Sequence, residues 1–216
     1  MKICFLGPVA TGKTTWARIF SELLDAKFVD VEGPGYHTID VLLRQGASVT
    51  GEEIELIFLG SEVYLYLSTY YKHRHVVYAS HPVVVLFYTW TLNDEAWLID
   101  LVDKVLDKLP RPDLSILFTY ELDDVEELLT RIGKRARLED RKSFEAQCIE
   151  KCYKYYPLVK KTLEKHSINY ITIHIREPAK QKLHKIVTAL VEHKLLENPE
   201  EVVAKGEKIL ERKGLT

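Results

Sequence analysis

The chain has 216 residues and 46% of them are hydrophobic, so it can bury the core of one domain of ordinary size, residues 1–216. Its formal net charge of −2 gives no global basic field that would attract nucleic acid. The sequence contains no uninterrupted run of about 18 apolar residues, the length that could span a membrane. The first strand starts without a charged and apolar leader. We therefore expect a cytoplasmic protein that binds neither nucleic acid nor membrane, and a homodimer is left open.

The first residues predict a strand, a phosphate-binding loop and a helix. Residues 2–6 form a short apolar run, and residues 7–14 read Gly-Pro-Val-Ala-Thr-Gly-Lys-Thr, a complete G-x-x-x-x-G-K-[ST] pattern. Apolar residues then recur at helical spacing, as expected for one buried helix face: Trp16, Ile19, Phe20, Leu23 and Leu24. A chance match would be a glycine-rich turn, but the correct flanks on both sides favour a P-loop.

The residue types of this loop suit a nucleoside triphosphate, and we expect the chain to bind ATP with Mg²⁺. Glycines 7 and 12 allow a tight turn that presents backbone N–H groups to phosphate oxygens at a helix N-terminus. Lys13, expected to be a solvent-facing cation, would reach the β- and γ-phosphates, and Thr14 would ligate the metal. The residues predicted to contact the nucleotide are Gly7, Ala10, Thr11, Gly12, Lys13, Thr14 and Thr15.

Strands that alternate with helices predict an α/β protein with the three-layer P-loop NTPase fold: a five-stranded parallel sheet covered by helices, with a short lid. Later strands are expected at 27–32, 76–80, 114–120 and 169–175. A turn is expected at 33–35, and helices near 37–45, 51–72, 93–108, 122–132, 143–165 and 199–213. The apolar run 83–90 has no decisive period, so it fits a strand or a buried helix.

In an open parallel sheet, ligands bind beyond the carboxyl ends of the strands, which draws attention to residues 32–35. These read Glu-Gly-Pro-Gly, and Arg44 follows nine residues after Gly35. The segment resembles thymidylate kinases, whose second strand ends in a Glu-Pro-Gly turn, although this turn has one extra glycine. The resemblance implies that Glu32 binds the acceptor and that Arg44 contacts its phosphate. Without the resemblance, the turn only links the strand to the next helix, and Arg44 is a solvated helix residue.

Residues 131–142 carry six basic side chains and two acidic ones. Such a block is usually a solvated face or a mobile loop. Its place after the fourth strand and its helix, together with Asp140-Arg141 and Phe144-Glu145, resembles the lid of the thymidylate kinase and deoxynucleoside kinase superfamily. The resemblance implies that Arg135 and Arg137 stabilise the transferring phosphoryl group and that Arg131 contacts the nucleotide. An arginine in this role contributes about 10³–10⁵ in rate.

The end of the third strand departs from the same pattern. The resemblance leads one to expect Asp-Arg, whereas the chain has Ser80-His81, and the arginine of the preceding helix is missing as well. A serine hydroxyl can donate a hydrogen bond but supplies no charge, and His81 could be a base, a phosphate donor or a plain strand-end residue. Because both follow a strand next to the P-loop strand, we expect Ser80 and His81 to line the cleft opposite Lys13.

The combined motifs predict an ATP-dependent phosphotransferase that acts on a small acceptor. Because of Arg44, the favoured acceptor is a nucleoside monophosphate such as dTMP, with a nucleoside kinase as the alternative. A regulatory protein that binds ATP without phosphotransfer is the alternative of another class, and the missing Asp-Arg pair is its main support. Tyr66 and Tyr70, one helical turn apart, could stack on a planar acceptor, but packing is the more usual role of such a pair.

Overall fold

The computed structural model describes residues 1–30, 33–92, 94–134 and 139–215. Their strands form one parallel five-stranded sheet in the order β2-β3-β1-β4-β5, which confirms the expected fold class. The strands are β1 Lys2–Leu6, β2 Lys27–Val29, β3 Val76–Tyr78, β4 Leu114–Thr119 and β5 Tyr170–His174. The first strand lies at the centre, so the loop that follows it opens at the middle of the sheet edge.

Helices cover both faces of this sheet. In chain order they are α1 Lys13–Leu23, α2 Gly33–Arg44, α3 Gly51–Tyr70, α4 Ala96–Leu106, α5 Val125–Gly133, α6 Glu139–Cys152, α7 Tyr156–Lys165, α8 Ala179–Glu192 and α9 Pro199–Arg212. Shorter 3₁₀ segments are found at Pro82–Thr91, Leu122–Asp124 and Tyr153–Tyr155. The helices bury their apolar faces against the alternating side chains of the strands, which gives three layers.

Each face of the sheet has its own core. On one face, α1, α8 and α9 pack their apolar side chains against residues such as Phe5 and Val77. On the other, α3, the 3₁₀ segment Pro82–Thr91, α4, α6 and α7 pack against Cys4, Leu6 and Tyr78. The prediction of a terminal helix near 199–213 is confirmed, and α9 docks on the body of the protein through buried Ile209 and Leu210.

The structure corrects the expected turn at 33–35, because α2 already begins at Gly33. Proline is favoured in the first turn of a helix, where its missing N–H costs nothing, so Pro34 starts a helix here instead of ending a strand. The second strand is correspondingly short and ends at Val29.

The ambiguous run after the third strand forms the buried 3₁₀ segment Pro82–Thr91. The long helix expected at 143–165 is divided into α6 and α7 by a short 3₁₀ segment, because Pro157 cannot donate a backbone hydrogen bond within a helix. Helix α8 was not predicted. None of the helices in the described ranges combines the length and the apolar content needed to cross a membrane.

Helix α3 buries two acidic side chains. It begins with a reciprocal cap in which Glu53 N–H bonds the Thr50 hydroxyl and the Glu53 carboxylate accepts from Thr50 N–H. Its side chains Glu55, Glu62 and Tyr66 are buried at intervals of seven and four residues, so they share one face. Two carboxyl groups therefore point from this helix toward the interior of the protein.

Candidate nucleotide-binding site

The loop between β1 and α1 has the backbone shape of an anion cradle. Gly7 and Gly12 have φ values of 143° and 93°, a region that favours glycine. A side chain at Gly7 would meet the Thr11 hydroxyl at 2.9 Å and the Phe118 carbonyl at 3.1 Å, so this glycine is also required by close packing against β4. The predicted glycines therefore lie where the loop turns.

Thr11 and Ala10 complete the loop. The Thr11 hydroxyl is buried and donates a 2.8 Å hydrogen bond to the Pro8 carbonyl, which ties the two ends of the turn together. Ala10 has a φ of 67°, a left-handed conformation that costs an alanine about 1–2 kcal/mol. Strain of this kind persists only where the surroundings determine the backbone, and it is common at ligand sites.

The start of the helix after the loop has features that suit an anion. Within the described residues 7–30, no side chain caps the N-terminus of α1, and its first turn has no acidic residue. The Trp16 N–H already bonds the Gly12 carbonyl at 3.1 Å, so the helix is formed from its first turn. An uncapped helix start and the helix dipole are features that favour a phosphate group at such an end.

Lys13, Thr14 and Thr15 differ in burial. Lys13 is only 5% exposed, which corrects the expectation of a solvent-facing cation. The Thr14 side chain is half-buried and Thr15 is exposed. Lys13 as a whole therefore lies within the packed part of the protein.

The Cys148 thiol of α6 responds to the charge of the P-loop lysine. Burial and a hydrogen bond that the protonated Cys148 thiol donates to Cys152 raise the pKa of Cys148 well above its usual range. The Glu55 carboxyl adds to this rise in pKa, whereas the nearby Lys13 charge opposes it. The thiol therefore lies within electrostatic range of both the P-loop lysine and a carboxyl of α3, which places the inward faces of α3 and α6 beside the loop.

Glu55 is the more weakly bonded of the two buried carboxyl groups on α3. It is 1% exposed, its Oε1 lies 3.5 Å from the Thr91 hydroxyl, and its Oε2 has no hydrogen-bond partner among the residues that the structure describes. Burial raises the pKa of Glu55 well above its usual range, and the Thr91 contact only partly offsets this. The group therefore favours its neutral form.

Ser80 and Glu62 form a buried pair at the end of β3. The Ser80 hydroxyl donates a 2.8 Å hydrogen bond to Glu62 Oε1. The serine is fully buried and Glu62 is 2% exposed. A carboxyl group from α3 is therefore attached to the strand end where the sequence itself has no acid.

His81 has the contacts of a packing residue. It is 1% exposed, and its ring meets the Tyr66 ring edge-on at 4.9 Å between centroids. Its Nδ1 accepts from the Val83 N–H at 3.4 Å, which caps the 3₁₀ segment Pro82–Thr91. Burial, with a smaller effect of the His166 charge, lowers the pKa of His81 to about 3. The imidazole is thus neutral at physiological pH, and of the three roles open to it the strand-end role has the most support.

Tyr66 and Tyr70 pack as expected for a helical pair. Tyr66 is fully buried, and its hydroxyl donates to the Pro110 carbonyl at 2.9 Å. The Tyr70 hydroxyl donates to the Arg111 carbonyl at 3.0 Å. Both carbonyls precede β4, at the edge of the sheet opposite the P-loop, so these rings fix α3 to the sheet.

Five predicted site residues remain, of which two lie in described helices. Arg44 is exposed at the last turn of α2, and Arg131 of α5 forms an ion pair with the Glu127 carboxylate one turn earlier. Glu32, Arg135 and Arg137 lie outside the described residues.

Thr14 is the residue whose chemistry fits a metal ion. Mg²⁺ in nucleotide sites usually keeps several waters and takes few protein ligands in addition to phosphate oxygens, so one hydroxyl in the first turn of α1 suits it. Among the described residues, no group of three or more histidine, cysteine, aspartate or glutamate side chains could hold a metal by itself.

Sequence reasoning did not identify Glu55 and Glu62 as site candidates. The signal was present, because two acidic residues seven positions apart in a strongly apolar helix share the face that must be buried. An acid on such a face is rarely buried without a partner or a function.

No protein-family model matches the chain, and no curated protein sequence matches it. Solved structures are similar in fold. A deoxyadenosine kinase from M. mycoides with bound dATP superposes with a TM-score of 0.66 at 17% identity, covering 88% of this chain and 100% of that one. The same enzyme with the products dCMP and dCDP gives 0.63 at 14%, covering 89% and 100%. Shikimate kinase from Acinetobacter baumannii with shikimate gives 0.51 at 20%, covering 90% and 94%. At these identities the similarity shows the fold alone, which is that of P-loop kinases.

Proposed function

We propose that the protein is an ATP-dependent phosphotransferase that transfers the γ-phosphoryl group to a hydroxyl of a small, uncharged acceptor of the nucleoside class. The observation that carries this proposal is the shaped loop at residues 7–14, with its uncapped helix start and the buried Lys13. A loop of this geometry has little use other than to hold a polyphosphate. The shared fold with deoxyadenosine kinase supports the same class of reaction.

On the donor side, the backbone N–H groups of the loop would bind the phosphates and Lys13 would neutralise their charge. Thr14 would hold Mg²⁺, which supplies charge neutralisation between the β- and γ-phosphates when it is bound. Arg131 of α5, together with Arg135 and Arg137, would contribute positive charge to the transferring group. Each of these groups positions or stabilises, and none forms a covalent bond to phosphorus.

The acceptor side has the opposite charge character. Helix α3 and the 3₁₀ segment Pro82–Thr91 together contain no lysine or arginine, whereas α3 buries Glu55 and Glu62. A phosphomonoester carries about −1.5 to −2 charges near neutral pH, and it would need cations here. A neutral hydroxyl compound needs none, and carboxyl groups can bond its hydroxyls. This distribution favours a nucleoside over a nucleotide.

Two other functions remain to be separated by experiment. Arg44 is the basis for a nucleoside monophosphate such as dTMP as acceptor, and its exposed position on α2 leaves it free to reach a ligand. A regulatory protein that binds ATP without transfer is the alternative outside enzymes. A nucleotide kinase would release a different phosphorylated product, and a regulatory protein would release none.

A coupled assay of ADP release separates these functions. We would present Mg-ATP with deoxynucleosides, their 5′-monophosphates and shikimate, each at the same concentration, and confirm the phosphorylated product by mass. Turnover with nucleosides supports the proposal, and turnover with dTMP alone would replace it by a nucleotide kinase. If no compound of the panel stimulates ADP release while calorimetry shows intact ATP binding, the regulatory function is supported.

A further inference from the structure

A surface groove of about 530 Å³ lies between the outer sides of α8 and α9. Five apolar side chains contribute to its lining: Val187, Val191, Pro199, Val203 and Ala204. Val191 is 39% exposed, so the apolar surface is open to solvent. The lining residues extend over about 12 Å along each helix, at roughly 1.5 Å per residue. The groove can therefore accept about two turns of a further helix.

Both helices that form the groove are anchored in the core on their other side. Leu183 of α8 and Leu210 of α9 are fully buried in the core that covers one face of the sheet. A side chain at Gly206 would meet Leu183 at 2.7 Å, so α9 approaches α8 closely on the buried side. Val191 and Ala204 lie on the exposed side and do not belong to this core. An apolar patch with a polar rim is typical of an interaction site.

The polar lining of the groove is acidic. Its three carboxylates are those of Glu192, Glu200 and Glu207, and among the described lining residues there is neither lysine nor arginine. Glu207 lies 3.6 Å from the Lys180 ammonium, just outside the groove. Glu192 ends α8 and Glu200 lies in the first turn of α9, so the two flank the same end of the groove. Within the part of the chain that the structure describes, neither of these two forms an ion pair. This end of the groove therefore has an uncompensated negative charge.

The negative charge and the apolar floor together select the kind of partner. A second copy of the chain placed groove to groove would bring like charges together, and the phosphates of anionic lipids or nucleic acid would be repelled as well. A metal cation would leave the apolar surface uncovered. An amphipathic helix with an apolar ridge and flanking lysine or arginine residues matches both features.

We propose that the groove between α8 and α9 binds an amphipathic helix of a partner protein. The apolar ridge of that helix packs on Val191 and Val203, and its basic residues lie beside Glu192 and Glu200. Glu200 and Glu207 are two helical turns apart on α9, about 10.5 Å, so a further basic residue of the partner lies about two turns from the first ones. The apolar contacts supply most of the affinity, and the charge pairs at the rim set the orientation and the rate of association. This inference is independent of the proposed phosphotransfer.

The probe is a synthetic alanine-based helix of about 16 residues, with a leucine ridge between two pairs of lysines. Fluorescence anisotropy at about 0.15 M salt should give a Kd of about 10–100 μM. Replacing the lysines of the peptide by glutamates should weaken binding by about tenfold or more. On the protein, Glu200→Lys and Val191→Asp should each weaken binding of the lysine peptide by about tenfold. Glu201→Lys is the matched control, because it makes the same change of charge in the same turn of α9 outside the groove lining, and it should leave the Kd within about twofold of the parent.

Hydrogen exchange locates the bound peptide, which should protect the helical parts of residues 184–207. The inference is overturned by a lack of binding at about 1 mM peptide, by equal affinity for the two peptides, or by equal losses in Glu200→Lys and Glu201→Lys. Protection at the exposed Tyr64 of α3 instead of at the groove overturns it as well. Sedimentation tests the second copy as occupant, because a dimer of the protein that Val191→Asp dissociates would replace the partner helix by that copy.

Discussion

Acidification should destabilise the protein through His81, and the size of the effect follows from the pKa that its burial lowers. The pKa of this histidine is lowered to about 3 in the folded protein, against about 6.5 for an unperturbed histidine. Because the folded pKa is the lower one, its contribution to stability is fully present above about pH 6.5 and is lost as the pH falls toward 3. Linkage then gives a loss of about 2 kcal/mol in the free energy of unfolding between pH 7 and pH 5.

Urea unfolding at pH 7 and pH 5 measures this loss, with His81→Asn as the control. Asparagine keeps an acceptor near the Val83 N–H and cannot be protonated in this range, so the variant should lose about 2 kcal/mol less than the parent between the two pH values. The comparison cancels the other histidines, including His166, which is bonded to Asp103. Equal pH dependence in the two proteins would refute the assignment of His81 as a buried neutral residue.

Lys13→Ala should weaken Mg-ATP binding by about 10–100-fold, since a hydrogen bond to a charged group contributes about 1.5–3 kcal/mol. Calorimetry measures this change in Kd. Lys104, an exposed lysine of α4 paired with Asp100, provides the control, because Lys104→Ala should leave the Kd unchanged. Glu55→Gln should raise the free energy of unfolding at pH 7 by about 1–3 kcal/mol, because it removes a poorly bonded buried acid. The pKa of Glu55 is raised by folding, so the parent loses stability as the pH rises above its unfolded pKa, and the gain of the variant should shrink at pH 4. Glu53→Gln should lower the free energy of unfolding at pH 7, because hydrogen bonds with Thr50 lower the pKa of the Glu53 carboxylate. Equal changes in the free energy of unfolding for Glu55→Gln and Glu53→Gln would contradict the argument.

The strand, loop and helix at residues 2–23 were predictable because their signals are local. Eight consecutive residues determine the turn, the helix start and the position of the lysine, and the flanking apolar runs determine the strand and the helix. The five strands were identified for the same reason, since each is a short apolar segment between breaking residues. Local patterns failed where two local signals competed. Pro34 next to glycines indicates a turn, yet the same proline is favoured at the start of α2.

The contacts at the end of β3 could not be predicted in this way, because they join distant parts of the chain. Ser80 and Glu62 are 18 residues apart and belong to different elements, so their bond follows only from the packing of α3 on the sheet. His81 follows Ser80 directly, yet its ring lies against Tyr66, because the 3₁₀ segment starts at Pro82 and turns the chain. Helix α8 had a visible signal in Leu183, Ile186, Val187 and Leu190, which share one face, and it should have been predicted.

The pairing of Ser80 with Glu62 also changes how the missing acid of the third strand should be weighed. Taken along the sequence, Ser80-His81 lacks the carboxylate that phosphotransfer would use, which favours a protein that binds ATP and does nothing more. In space, the Glu62 carboxyl group lies at that strand end and accepts a hydrogen bond from the Ser80 hydroxyl. A reaction depends on where a charge is located and not on which element supplies it. The absence of an acid from the strand therefore gives little weight to the regulatory function, and the choice rests on whether any acceptor of the panel is phosphorylated.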